Sequence, residues 1–122
     1  MELWYHGHVI QNPSRKAMDH DVNERASVIF SALGHPTRLQ ITNLLCQDPL
    51  SVNEVATTLH LARTGASAHL AILARAGVLS VKQMASTRIY SVRGPRVAMI
   101  IALMVRFCDI HELKGQIDLD QW

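Results

Sequence analysis

A long central part of the chain has no acidic side chains. No Asp or Glu stands between Val55 and Cys108, although the 122 residues include ten acids in all. The same stretch carries seven basic side chains, namely Arg63, Arg75, Lys82, Arg88, Arg93, Arg96 and Arg106. Because the net charge of the whole chain is only +2, such a one-sign block favours a polyanionic partner, with nucleic acid the first candidate. On charge alone, an ordinary basic surface would leave the same pattern.

Cysteines, aromatic residues and long apolar runs are also scarce. Two cysteines, Cys46 and Cys108, cannot supply the disulfide framework that holds small secreted domains together. The longest apolar run, Val97 to Val105, is too short to span a bilayer, and no N-terminal segment resembles a signal peptide. We therefore expect a cytoplasmic protein with reduced thiols and no membrane partner. Because aromatic residues make up only 5% of the chain, the core must be built from aliphatic side chains.

Spacing and composition divide the chain into three parts. Residues 1–16 lack a steady period and contain Gly7 and Pro13, which predicts an N-terminal arm. Residues 17–108 predict a single domain with a real core, because 48% of the chain is hydrophobic. Residues 109–122 are acidic and weakly patterned, and they predict a C-terminal tail.

The first half of the domain predicts three helices. The first begins soon after the arm, near residue 17 or 22, and is stopped by Gly34. Pro36 opens the second, as proline does at a first helical position, and this helix ends near Cys46. Ser51 followed by Glu54 is a capping box, so a short third helix begins there.

The second half predicts a fourth helix, a hairpin and a last helix. The fourth helix lies within Leu61 to Leu79, after which the apolar period changes to two residues. A loop at Met84 to Ser86 separates the two alternating runs of a β-hairpin, and Gly94–Pro95 ends it before the long apolar helix. This order predicts a mainly α fold with a small β-hairpin, that is, a winged helix-turn-helix.

The fourth helix carries an unusual outward face. At about 100° per residue, Ala66, Leu70 and Leu73 fall on one side, and the short side chains of Thr64, Ser67 and Ala68 fall on the other together with Arg75. A helix that lies in the major groove needs short side chains against the base edges, and arginines beside it can bind phosphates. Since plain surface helices usually mix Glu with Lys, we expect this helix to read DNA.

Several neighbours of that face have more than one interpretation. Gly65 costs about 1 kcal/mol relative to Ala inside a helix, which either close approach to a sugar-phosphate backbone or a loosely wound helix start would explain. His69 projects toward the inner side, so a role in holding two helices together competes with a base contact. Near the hairpin tip, Lys82, Gln83 and Arg88 form a basic wing that can reach phosphates or the minor groove.

Four segments resemble the ArsR/SmtB family of transcriptional repressors. They are "ALGHPTRLQITNLL" from Ala32, "LSVNEVATTL" from Leu50, "SAHLAILARAGVL" from Ser67 and "RIYSV" from Arg88. The resemblance spans roughly Val22 to Cys108 and implies a homodimer formed through the first and last helices. It also implies that an inducer releases the protein from its operator. Because a two-fold dimer would place its recognition helices one DNA turn apart, we expect an inverted repeat in double-stranded DNA.

By position, the resemblance implies that Arg63, Thr64, Gly65, Ser67 and Ala68 form the recognition set, with His69 flanking it. The family often has Ser, Gln or His at three positions where this chain has Ala62, Arg63 and Ala68. The resemblance therefore implies the mode of docking and leaves the operator sequence open.

Neither metal site common in the family transfers to this chain. The short third helix has no Cys-x-Cys pattern, and the last helix has Gly94, Arg96, Phe107 and Ile110 where the other site has its ligands. Some family members instead sense persulfides or oxidants through two cysteines, and Cys46 and Cys108 have that distribution, although Cys46 comes one helical turn later. Two unrelated buried cysteines remain the alternative.

A non-standard metal site is the second candidate for a switch. Cys108 and His111 are three residues apart, and His6 and His8 in the arm could complete a site for Zn²⁺ or Ni²⁺. Solvated, inert histidines would give the same sequence. We expect no enzyme, because Ser67 and His69 cannot form a nucleophile–base pair from one helix. A protein-interaction module and a repressor without an inducer also stay open.

Overall fold

The computed structural model describes residues 19–109 in full, and it describes the backbone alone of residues 3–5 and 8–10. Five helices make up most of this part of the chain. They are α1 (His20–Leu33), α2 (Pro36–Leu45), α3 (Val52–Leu59), α4 (Arg63–Arg75) and α5 (Pro95–Asp109). The strands are β1 (Leu3–Tyr5), β2 (His8–Ile10), β3 (Leu50–Ser51), β4 (Leu79–Met84) and β5 (Thr87–Val92). The prediction of a mainly helical winged helix-turn-helix is confirmed.

Local side-chain chemistry sets the helix ends. Asp19 caps α1 by accepting a hydrogen bond of 2.9 Å from the amide of Val22. The capping box of α3 is present in both directions: Glu54 Oε1 accepts from the Ser51 amide at 3.0 Å, and Ser51 Oγ accepts from the Glu54 amide at 3.2 Å. Ala62, which has no polar group, precedes α4 and offers no side-chain cap.

The wing belongs to a three-stranded antiparallel sheet with the strand order β3-β5-β4. Strands β4 and β5 form the predicted hairpin, with Met84 opposite Thr87, so its turn contains only two residues. Ala85 in that turn has a φ of 56°, a left-handed conformation that is strained for any residue with a Cβ. The sequence patterns did not reveal β3, in which Leu50 pairs with Tyr90.

The core joins the helices to the base of the wing. Ala66, Leu70 and Leu73 of α4 are fully buried, together with Ile41 of α2 and Val55 of α3. As predicted, these side chains are aliphatic, and Tyr90 is the one aromatic side chain in the buried cluster of the described residues. Because α4 is anchored by its inner stripe, its opposite face is held outward.

At the N-terminus, β1 and β2 pair in antiparallel register, with Leu3 opposite Ile10. The weak period of this segment did not predict the pair, and the predicted boundaries of arm, domain and tail remain predictions. Among the described residues, no helix has the length and apolarity to cross a membrane.

Candidate nucleic-acid interface

Helices α3 and α4 form a helix-turn-helix. His60 ends α3 in a left-handed conformation, with a φ of 56°, and its amide donates back to the carbonyl oxygens of Ala56 and Thr57. This reversal lets α4 begin three residues later and pack against α3. The first turns of α4 are therefore presented at the end of the domain that also carries the wing.

The predicted recognition residues occupy the outer face of those first turns. Arg63, Thr64, Gly65, Ser67 and Ala68 are all exposed. A methyl group built on Gly65 meets no other atom of the described chain within 4 Å. Gly65 also lacks a positive φ, so neither the backbone nor the neighbouring atoms of the described residues require a glycine at this position.

A polar cleft of about 500 Å³ separates the start of α4 from the wing. Of the predicted residues, it brings together Arg63 and Ser67 of α4 with Gln83 and Arg88 of the wing. Its other lining residues are Ser51, Val52, Asn53, Ser86, Thr87 and Tyr90. No carboxylate lines the cleft among the described residues, so its electrostatic character suits an anion such as a phosphate backbone. Lys82 is exposed on β4 outside this lining.

Asn53 is a member of this cleft that the sequence patterns missed. Its Oδ1 accepts a hydrogen bond of 2.8 Å from Nε of Arg63. The bond fixes the guanidinium edge that faces α3 and leaves the Nη groups to donate elsewhere. Asn53 thus orients an arginine ten residues further along the chain, a pairing that local sequence patterns do not report.

His69 lies on the inner side of α4, beside the start of α2. Its ring centroid is 4.8 Å from that of His35, whose Nδ1 accepts a hydrogen bond of 3.1 Å from the amide of Thr37. Nδ1 of His69 is buried and has no hydrogen-bond partner in the described part of the chain. This position favours the helix-linking interpretation of His69, and the side chain does not line the cleft.

The surroundings of His69 lower its pKa from the ordinary value of 6.5. Burial is the first cause, because it disfavours the charged ring, and the charges of His35 and Arg38 act in the same direction. The unfolded chain therefore binds this proton at a higher pH than the folded protein does. The contribution of His69 to the free energy of unfolding therefore falls as the pH drops through 6.5 toward the lower pKa of the folded state.

We expect His69→Gln to flatten the pH dependence of stability. Between about pH 7.5 and about pH 5.5, the melting temperature of the wild type should fall more than that of the variant. Thermal unfolding followed by circular dichroism measures both slopes. His60→Gln, at an exposed position, is the matched control for the loss of one imidazole. Equal slopes for the wild type and His69→Gln would contradict this assignment.

Arg75 lies at the far end of α4 from the cleft. Twelve residues separate it from Arg63, which corresponds to about 18 Å along the helix axis. It lines a different groove, beside Val28 of α1 and Arg38 of α2. The structure therefore does not bring Arg75 together with the other predicted DNA contacts.

The two cysteines differ in exposure. Cys108 is exposed near the end of α5 and lines a groove with Asn43 of α2, three residues before Cys46. Cys46 is half-buried, and burial raises the pKa of its thiol. Cys108 is therefore the more accessible of the two thiols to a reagent in solution. The thiolate is the reactive form of cysteine, and the raised pKa of Cys46 disfavours it there.

The candidate metal ligands lie largely outside the described residues. His6 and His111 are not described, and of His8 only the backbone is. Within the described part, no three His, Cys, Asp or Glu side chains come close enough to hold a metal ion. The Zn²⁺ or Ni²⁺ site through Cys108 thus stays a prediction.

Comparison with known proteins finds relatives with the same architecture and identifies a family. The sequence model of the bacterial regulatory protein arsR family matches residues 35–81. The chain is 33% identical over 89 residues to the transcriptional activator HlyU of Vibrio cholerae serotype O1. The aligned region covers 72% of this chain and 82% of that protein.

Two solved structures extend this similarity to the fold. The homodimeric winged helix-turn-helix DNA-binding domain from Mycobacterium bovis matches with a TM-score of 0.72 at 28% identity, over 89% of this chain and 97% of that one. Reduced HlyU from Vibrio cholerae matches with a TM-score of 0.65 at 31% identity, over 74% of this chain and 95% of that one. The chain therefore belongs to the arsR family of bacterial regulatory proteins and is a DNA-binding transcriptional regulator with a winged helix-turn-helix, not an enzyme.

Proposed function

We propose that this regulator is a homodimeric repressor that binds an inverted-repeat operator and is released by a thiol-reactive inducer. The observation that carries the DNA-binding part is the cleft in which Arg63 and Ser67 of α4 face Gln83 and Arg88 of the wing without a carboxylate. Such a cleft suits a strand of the duplex between a helix in the major groove and a wing on the backbone.

Within this proposal, the first two turns of α4 read bases. Thr64, Ser67 and Ala68 offer hydroxyl and methyl groups to base edges, and Gly65 allows the helix to approach the backbone closely. Arg63, held by Asn53, and the wing residues Lys82, Gln83 and Arg88 bind phosphates or enter the minor groove. His69 acts indirectly by fixing α4 against α2.

The apolar surface of α5 supports a dimer. Six of its large apolar side chains are 43–66% exposed, namely Met99, Ile100, Leu103, Met104, Val105 and Phe107. Phe30 of α1 is 63% exposed. A small domain rarely exposes a contiguous apolar face of this kind to water, so a second copy of the chain is the expected cover. A two-fold axis would then present two copies of α4 to successive major grooves, which matches an inverted repeat.

A binding assay at several salt concentrations tests the DNA-binding part of this proposal. An operator recovered by selection from a random duplex library should bind at least about 100-fold more weakly at about 200 mM salt than at about 50 mM, because phosphate contacts release counterions. A reporter behind the operator should rise when the regulator is absent, whereas an activator would lower it. A salt-independent affinity would indicate a protein-interaction module instead.

The inducer part rests on the different exposure of the two thiols. A peroxide would oxidise the exposed Cys108 thiolate to a sulfenic acid, with release of hydroxide. The Cys46 thiol would then attack that sulfur, forming a disulfide and releasing water. Because the two residues sit near the ends of α5 and α2, a bond between them would pull the dimer helix against the helix that supports α4.

We expect Cys108→Ser to abolish the response to oxidant. Peroxide or a persulfide donor should lower the operator affinity of the wild type by at least about tenfold, in the usual range of regulatory coupling, and leave this variant unchanged. Cys46→Ser should still form the sulfenic acid, without the disulfide. Peptide mass analysis identifies each product. If the same oxidants release the Cys108→Ser variant from the operator, the thiol switch is wrong. The proposal that the protein binds DNA would not be affected.

A further inference from the structure

The groove that contains Arg75 lies where α1 and α2 pack on the second half of α4. Its volume is about 440 Å³, within the range of small-molecule sites. Val28, Ile72 and Ala76 supply an apolar floor, whereas Arg38, Arg75 and Ser31 supply the polar groups. The proposed DNA cleft shares no residue with this groove.

We propose that this groove is an effector site for a small amphipathic organic anion, with a carboxylate head bound by Arg75 and Arg38 and an apolar body on Val28 and Ile72. The lining contains both parts that such a ligand needs, and no acidic side chain belongs to it. Apolar area with a few convergent polar groups is the general composition of ligand pockets.

The charges of the groove are uncompensated in the described part of the chain. Residues 19–109 contain one arginine–carboxylate ion pair, Arg25–Asp21, and a 3.6 Å contact between His20 and Glu24, and neither involves the two arginines of the groove. Nε of Arg38 donates to the carbonyl oxygen of Ala32 at 2.6 Å, so this guanidinium is already oriented before a ligand arrives. A preoriented arginine beside a second, exposed one is suited to a carboxylate.

Glu24 is an acidic residue next to this region. It lines a neighbouring compartment that shares Val28 and Arg75 with the groove and also contains Arg25 and Arg93. Its carboxylate faces Nε2 of His20 at 3.6 Å. We therefore place the carboxylate head of the ligand in the groove, beside Arg38, because Glu24 does not line the groove.

We expect the groove to remain open in the proposed dimer. Val28 and Phe30 are two residues apart on α1, which places them about 200° apart around the helix, and both are more than half exposed. A dimer that covers Phe30 leaves the Val28 side free. Because the groove joins α1 of the dimer core to α4, a ligand there would alter the position of α4 relative to the two-fold axis.

Titration with sodium octanoate tests the site on the full-length protein. Isothermal titration calorimetry and amide NMR shifts should report binding, with shifts at Ser31, Ile72 and Ala76. Arg75→Gln should weaken the affinity about tenfold, because a charge-assisted hydrogen bond is lost, and Val28→Ser about threefold. Arg106→Gln makes the same charge change on an exposed part of α5 and should bind as the wild type does. Neutral 1-octanol should bind at least about tenfold more weakly than octanoate.

Two outcomes would overturn this proposal. Equal binding of octanol and octanoate would show that the anion is not recognised. Unchanged octanoate affinity in Arg75→Gln would remove the head-group contact. In that second case, a shallower salt dependence of operator binding in Arg75→Gln would identify Arg75 as a phosphate contact instead. None of these results affects the DNA cleft, whose variants are tested separately.

Discussion

Ser67→Glu is expected to lower operator affinity by at least about 100-fold. Ser67 is exposed on α4 and lines the cleft together with Arg63 and Arg88. A carboxylate at this position would face the phosphate backbone in both half-sites of a dimer, and like charges brought together at an interface cost several kcal/mol. The glutamate would also neutralise the arginines on which phosphate binding depends. Fluorescence anisotropy with operator duplex measures the change.

A matched control separates this effect from a general change of charge. Gln40→Glu adds the same single negative charge at an exposed position of α2, outside the cleft. We expect it to bind DNA within about threefold of the wild type, because exposed charges far from the contact are screened. Both variants should melt as the wild type does. If Ser67→Glu binds as well as Gln40→Glu, the first turns of α4 do not contact the operator.

Leu103→Glu is expected to convert the proposed dimer into monomers. Leu103 is 66% exposed in the single chain and lies amid the apolar surface of α5. Two glutamates buried in one interface would be unpaired, and burying an unpaired charge costs several kcal/mol. When dimerisation is lost, operator affinity should fall by at least about 100-fold at a fixed protein concentration, because each monomer then binds one half-site alone. Sedimentation velocity and anisotropy measure the two losses.

Val28→Glu is the control for that experiment. It makes the same kind of change at a side chain that is 54% exposed, on the other side of α1 from Phe30. We expect this variant to remain dimeric. A dimeric Leu103→Glu would show that α5 does not form the interface, and a monomeric Val28→Glu would move the interface to the groove side of α1.

Local sequence signals predicted most of the fold because each acts within a few residues. Pro36 and the Ser51–Glu54 capping box set helix starts that the structure reproduces. The preference for aspartate at a helix N-cap places the start of α1 at His20, after Asp19, between the two starts that the apolar period predicts. The burial of Leu70 and Leu73 followed directly from the helical period of α4.

The missed features depend on contacts between distant residues. Strand β3 is only two residues long and exists because Leu50 pairs with Tyr90, forty residues later. The bond from Arg63 to Asn53 and the pairing of His35 with His69 likewise join different helices. No periodicity of a single segment contains these relations. The division of the basic residues between two grooves was also hidden, since the sequence shows charge without showing which surface carries it.

The short strand that precedes α3 has a consequence for how operators can vary. Its pairing with β5 joins the entry of the helix-turn-helix to the wing, so in the proposed dimer each protomer would bind its half of the operator as one unit. Only the joint between the two protomers is left to adjust. Operators should consequently tolerate changes in the length or stiffness of the spacer between their halves better than any change in the footprint within one half.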